Sequence, residues 1–138
     1  MTQTKIPQKQ ISQIRYVSFV LNGTTTLTTS EKAYFRIPPD MTGMKMVSVA
    51  GSVGTGAAGS SSSGLPTFTV KNVTTTNQIL STSLTIDASE YSSATAATVA
   101  VINSANNTVS NDDLIEVAVT TAGTGVTYAT ITCGFQLP

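Results

Sequence analysis

The stretch YATITCGFQL, residues 128–137, decides the architecture. Ala129, Ile131, Cys133, Phe135 and Leu137 occupy alternate positions, with hydroxyl, glycine and glutamine residues between them. Successive side chains of a strand leave opposite faces of the backbone, so a period of two predicts a half-buried strand. The same period recurs upstream. RYVSFVL (15–21) aligns Val17, Phe19 and Leu21, and KAYFRI (32–37) aligns Ala33, Phe35 and Ile37. MKMVSVA (44–50), TFTVK (67–71), NQILSTSLTI (77–86), ATVAVI (97–102) and LIEVAV (114–119) complete a set of eight predicted strands.

The intervening residues are turn chemistry. Asn22-Gly23, PPDMTG (38–43), KNVTTTN (71–77), NSANN (103–107), SNDD (110–113) and AGTG (122–125) are rich in Gly, Pro, Asn and Asp. No stretch carries a 3.6-residue apolar stripe, and ASEYSSA (88–94) makes at most one helical turn. Eight antiparallel strands in one domain predict an all-β, eight-stranded antiparallel jelly-roll sandwich over residues 14–138. The rival is a seven-stranded immunoglobulin-like sandwich, which would often show a buried Trp with a Cys pair; this chain has no Trp and one Cys. GSVGTGAAGSSSSGLP (51–66) predicts a flexible surface loop, because glycine and serine leave little to bury. Residues 1–13, with four glutamines and no acid, predict an extended N-terminal arm, or a frayed terminus.

Composition narrows the function. Charged residues make up 10% of the 138, against roughly 25% in an average domain, while 25 Thr and 16 Ser fill the polar positions. A surface so poor in charge suits packing against other protein, although a plain β domain with polar faces has the same composition. Net charge is zero, which argues against a nucleic-acid coat. The charges are also divided: seven basic and two acidic residues lie at or before Lys71, and five acids follow, giving +5 and −5. A body polarised in this way can dock copies head to flank. No segment approaches the ~20 apolar residues of a membrane span, and MTQTKIPQKQISQ has no apolar core of a signal peptide. A route outside the cell would therefore be lysis or assembly.

Catalytic and metal chemistry find few residues. With no histidine, Cys133 and the serines lack the usual base, and Cys133 shares its face with Ile131 and Phe135 as a small core residue. Gly54, Gly56 and Gly59 satisfy G-x-G-x-x-G, but serines and Leu65-Pro66 follow where a helix would have to begin. Asp112, Asp113 and Glu116 could bind calcium, yet Asp-Asp after Ser-Asn is ordinary turn material. The N-x-T sequons at Asn22, Asn72 and Asn106 are expected in so threonine-rich a chain. Asp87 and Glu90 end a strand and could form an acid/base pair, as in a glycosidase. No Arg, Lys, His or Trp follows them, so the favoured reading is a structural corner. There Asp87 would accept from the amides of Ser89 and Glu90, and Glu90 would tie to a nearby hydroxyl or amide. The expectation is a non-enzyme with no cofactor and no metal.

ILSTSLTIDASEYSSATAATVAVI (79–102), the spacer NSANNTVSNDDLIEVAVTTAGTG (103–125) and the alternating last strand resemble small tailed-bacteriophage virion proteins. YFRIPPDMTG (34–43) followed by MVSVAGSVGTG (46–56) is similar to the front half of that group, so the resemblance spans about residues 34–137. It implies a jelly-roll subunit, often a homotrimer, assembled in the host cytoplasm and sitting on the virion surface. A capsid decoration or cement protein is one such role, with the major capsid protein as partner and no nucleic acid or membrane. A head-fibre or tail-tip subunit that binds a receptor or glycan is the alternative, with Tyr91 and Tyr128 as the candidate aromatics for a sugar face. In the cement reading the arm meets the shell through Lys5, Ile6, Lys9, Ile11 and Arg15.

Overall fold

The computed structural model describes residues 13–55 and 64–138, and of residues 22–25 the backbone only. The described chain is all-β, and every paired strand is antiparallel. Ten strands form among the described residues: β1 (Arg15–Thr26), β2 (Lys32–Arg36), β3 (Lys45–Thr55), β4 (Thr67–Asn72), β5 (Asn77–Gln78), β6 (Leu80–Thr82), β7 (Leu84–Thr85), β8 (Val101–Ile102), β9 (Leu114–Thr121) and β10 (Thr127–Gln136). Short 3-10 turns lie at Pro39–Met41 and Ser93–Thr95, and no helix among the described residues is long and apolar enough to cross a membrane.

One sheet runs β1-β10-β3 and the other β2-β9-β4-β5, with β7 also on β4; β6 and β8 pair by themselves. β10 is central to the first sheet. Val17, Phe19 and Leu21 of β1 stand opposite Cys133, Ile131 and Ala129, and Val49 and Val53 of β3 stand opposite Cys133 and Ala129. β9 is the counterpart in the second sheet, with Ile115, Val117 and Val119 turned inward against Phe68 and Val70 of β4 and Ala33 and Phe35 of β2. The two inner faces meet in one apolar cluster, a β-sandwich arrangement in which Phe19 and Phe35 touch edge to face with centroids 6.5 Å apart. Each large side chain fully buried here contributes about 1.5–3 kcal/mol.

The strand count departs from eight because the predicted strand at 77–86 is broken. β5 pairs with β4, β6 leaves to pair with β8, and β7 returns to β4. At the first break the Ile79 amide donates to the Val70 carbonyl (2.8 Å), while its own carbonyl accepts from Asn103 (2.7 Å). Ile79 and Leu80 are both buried, which strict alternation does not allow. The predicted strand at 97–102 shrinks to Val101–Ile102, since Ala97, Thr98 and Val99 lie exposed with no strand partner.

The glycine and serine stretch is not loop from its start. β3 continues through Thr55, with Gly51 and Val53 facing inward between exposed Ser52 and Gly54; residues 56–63 lie outside the described residues. Gly51 is required by packing, because a Cβ there would sit 2.7 Å from Leu84 Cδ2 and 3.0 Å from Ile131 Cδ1. Both neighbours are buried and cannot retreat freely. Gly51→Ala is therefore expected to lower stability by about 1–3 kcal/mol in a denaturant titration, while Ser52→Ala on the outer face leaves it within about 0.5 kcal/mol.

Candidate functional site

The Asp87 and Glu90 corner begins where β7 ends. The Glu90 amide donates to the Asp87 carbonyl (3.1 Å), and Ser89 takes a positive φ of 63° in the turn. The Asp87 carboxylate reaches forward and not to the turn amides: Oδ2 accepts from the Ala97 amide at 2.9 Å, ten residues on. That corrects the expected Asx turn, because the backbone itself closes the corner and leaves the side chain free to hold a later segment. Glu90 Oε2 accepts from the Thr95 hydroxyl. Ser92 caps the 3-10 turn by accepting from the Ala94 amide (3.1 Å).

Held in this way, residues 91–93 run along the outer edge of β3. The Val53 amide donates to the Tyr91 carbonyl (2.9 Å), Ser52 bridges Ser92, and the Gly51 amide donates to Ser93 Oγ (2.9 Å). Further along the same edge, the Met46 amide donates to the Asn107 carbonyl (2.8 Å), Asn107 Nδ2 donates to Met46 O (2.9 Å), and Thr108 bridges Lys45. Between the two straps lies a shallow pocket lined by Val49, Leu84, Thr85, Ser93, Ala96, Thr98, Val99 and Ala100. Its lining is apolar or hydroxylic, with no acid, base or amide to orient a substrate. The contacts of residues 91–93 and 107–108 cover a sheet edge that would otherwise offer unpaired backbone groups.

The turn at 110–113 is also structural. Asp113 is buried, and its Oδ2 accepts from Asn72 Nδ2 (2.8 Å) and from the Ser110 amide (2.9 Å). Asp112, at φ 70°, presents its carbonyl to Arg36 Nη1 (2.8 Å). Among the described residues no three His, Cys, Asp or Glu side chains come together as a metal site. Cys133 is buried, and desolvation pushes its thiol up to about 12. Arg15 opens β1 and pairs with Asp40, so its guanidinium is held by the body of the domain. Lys5, Ile6, Lys9 and Ile11 lie outside the described residues.

The two outer sheet faces differ, a contrast that sequence reasoning missed. On the β2-β9-β4 face, Tyr34, Glu116 and Lys71 share a rung, flanked by Lys32 and Arg36. Lys32 Nζ lies 3.5 Å from Glu116, and a hydrogen bond to Glu116 raises the Tyr34 phenol above its ordinary range. On the β1-β10-β3 face the rungs are Tyr16–Gly134–Ser48, Ser18–Thr132–Ala50 and Val20–Thr130–Ser52. These three rungs carry no charged residue, and Lys45 stands opposite Gln136 at the end of the sheet. The signal was present in the outward positions of the three strands, but only the strand order brings those positions together.

No protein-family model and no curated protein matches the chain. Among solved structures it is similar to a chain of the cyanophage Pam1 capsid asymmetric unit, with a TM-score of 0.55 and 13% identity over 99% of this chain and 94% of that one. At that identity the likeness is one of fold.

Two outcomes check the geometry. Asp113→Ala strips partners from a buried amide and is expected to cost about 2–4 kcal/mol, against about 1 kcal/mol for Asp87→Ala at the half-buried corner, both read by chemical denaturation. Cys133 in the native protein should resist a thiol reagent at pH 8 and react with one equivalent after unfolding. The unfolded thiol ionises near 9.0 and the folded one near 12, so this group's contribution to stability is lost as pH rises through that window.

Proposed function

We propose that this chain is a structural protein of a tailed-bacteriophage virion, a jelly-roll subunit that binds the outside of the capsid lattice and stabilises it. The observation that carries the reading is the fold likeness to the Pam1 capsid chain, which extends over nearly the whole of both chains. The order β1-β10-β3 opposite β2-β9-β4-β5 supports the jelly roll, since strands distant in sequence lie side by side as in two interlocked Greek keys. The two straps along β3 and the buried Asn72–Asp113 pair support a rigid body, as a part that must bridge shell subunits requires.

The physical basis of a cement is linkage: a protein that binds the assembled lattice and not loose subunits shifts the equilibrium toward the shell. In this reading Lys5, Ile6, Lys9 and Ile11 engage the major capsid protein, and Arg15, anchored on Asp40, fixes where the arm leaves the body. A zero net charge agrees with a protein partner and not with the genome.

The test adds the purified protein to shells assembled from the major capsid protein of the same phage. Binding should saturate at a fixed ratio, and shell melting temperature should rise with occupancy; removal of residues 1–13 should weaken binding at least tenfold. Shells that neither bind the full chain nor change in melting temperature would overturn the reading.

A further inference from the structure

The sheet edges are guarded unequally. β3 is strapped by residues 91–93 and 107–108. β2 is five residues long and carries Lys32 and Arg36, and a short strand with basic side chains discourages a further strand. β1 has no such guard. It pairs with β10 in unbroken register from Arg15 to Leu21, with no bulge to twist the edge away. From Tyr16 to Leu21 it has no charge and no proline. Among the described residues no strand pairs with its other edge.

Hydrogen-bond parity shows which backbone groups are open there. The Gly51 and Val53 amides donate to Ser93 Oγ and the Tyr91 carbonyl, away from β10. Antiparallel neighbours alternate between pairs that exchange both bonds and pairs that exchange none. Gly51 and Val53 therefore exchange none with Ile131 and Ala129, which turn their own N–H and C=O toward β1. Ile131 and Ala129 bond Phe19 and Leu21, so the alternate residues Tyr16, Ser18 and Val20 aim N–H and C=O out along the free edge. Among the described residues these groups have no backbone partner, and all three residues are exposed.

We infer that the free edge of β1 is a strand-addition site, and that its occupant is an extended segment of the major capsid protein. The inference rests on the lattice-binding role proposed above and names where the contact is made. Continuity selects the occupant: residues 1–13, which in that role reach the shell, lead directly into Arg15 and this edge. A row of unpaired N–H and C=O groups at strand spacing is matched by the backbone of another strand. The flank sets the side chains. Phe19 and Phe35 touch across the sandwich, so β1 and β2 lie along one flank, where Val17, Ala33 and Phe35 are only partly buried. An added strand turns every second side chain toward them, and those positions call for apolar residues. The others continue the outer row of Tyr16, Ser18 and Val20 and suit uncharged polar residues. A segment of about six residues with that alternation fits the edge.

The test is hydrogen exchange of the full chain, free and bound to shells assembled from the major capsid protein of the same phage, read over residues 15–21 by mass spectrometry. Val17, Phe19 and Leu21 amides should be slow in the free chain and Tyr16, Ser18 and Val20 amides fast. On the shell the segment is expected to gain about three slow amides. Ser18→Pro and Val20→Pro each delete an outward N–H and no bond to β10, and an edge strand tolerates proline there. Each should weaken shell binding at least tenfold, while Val20→Thr, which keeps the amide, leaves it within about twofold. Unchanged circular dichroism and melting temperature verify the fold of each variant, and exchange in the wild-type chain decides the matter if a proline variant does not fold. Shell binding without added protection overturns the inference, as do folded proline variants that bind like the wild type; both results leave the lattice-binding role standing. Edge amides already slow in the free chain would show the edge covered by the chain's own arm or by a second copy, and overturn it too. A chain that does not bind shells overturns the role and the inference together.

Discussion

The pairing of β10 along both of its edges is the constraint on which the molecule depends. Between β1 and β3, the strand has no free backbone edge in its central span, and its register is fixed twice. A slip of one residue on either side would turn Ala129, Ile131, Cys133 and Phe135 to solvent and bury threonines in their place. The inner face of the first sheet is thereby locked, and the second sheet must present β9 and β4 to it. Cys133 shows how tight the result is, since its thiol is held so far from water that it remains protonated at any physiological pH.

Once β10 is central, β3 becomes an edge, and the rest of the chain deals with it. The Asp87 corner and the segment 107–108 both strap that edge, using backbone and side-chain groups far apart in sequence. Exposed edges recruit other strands, so their closure keeps a β-rich, charge-poor chain from indiscriminate pairing. With the β3 edge strapped, the two outer faces still differ. One outer face carries the Lys32–Glu116–Tyr34 network, and the other carries mostly hydroxyls and tyrosines.

Much of this was legible in the residues. The alternation at 128–137 and 15–21 gave the inward face of β10 and β1, and the position of Cys133 among apolar neighbours gave its burial. Alternation failed where glycine stands inward. Gly51 has no side chain to declare its direction, so β3 looked as if it ended five residues early, although Leu84 and Ile131 fill the space a side chain would need. It failed again at Ile79 and Leu80, where the chain changes sheet and two consecutive residues are buried. At Asp87 local sequence pointed to the turn amides, whereas the observed contact to Ala97 depends on a tertiary path. The contrast between the outer faces needed the strand order before its parts could be added together.

The strapped sandwich is similar in fold to a phage capsid chain, and the role proposed for it is that of a part repeated on a shell. The central claim is that it is repeated across the capsid lattice. The most direct measurement is copy number per particle, by quantitative gel densitometry of purified virions against the major shell protein. The account predicts a ratio near one or a simple fraction such as one third. A handful of copies per particle, or none, would contradict it.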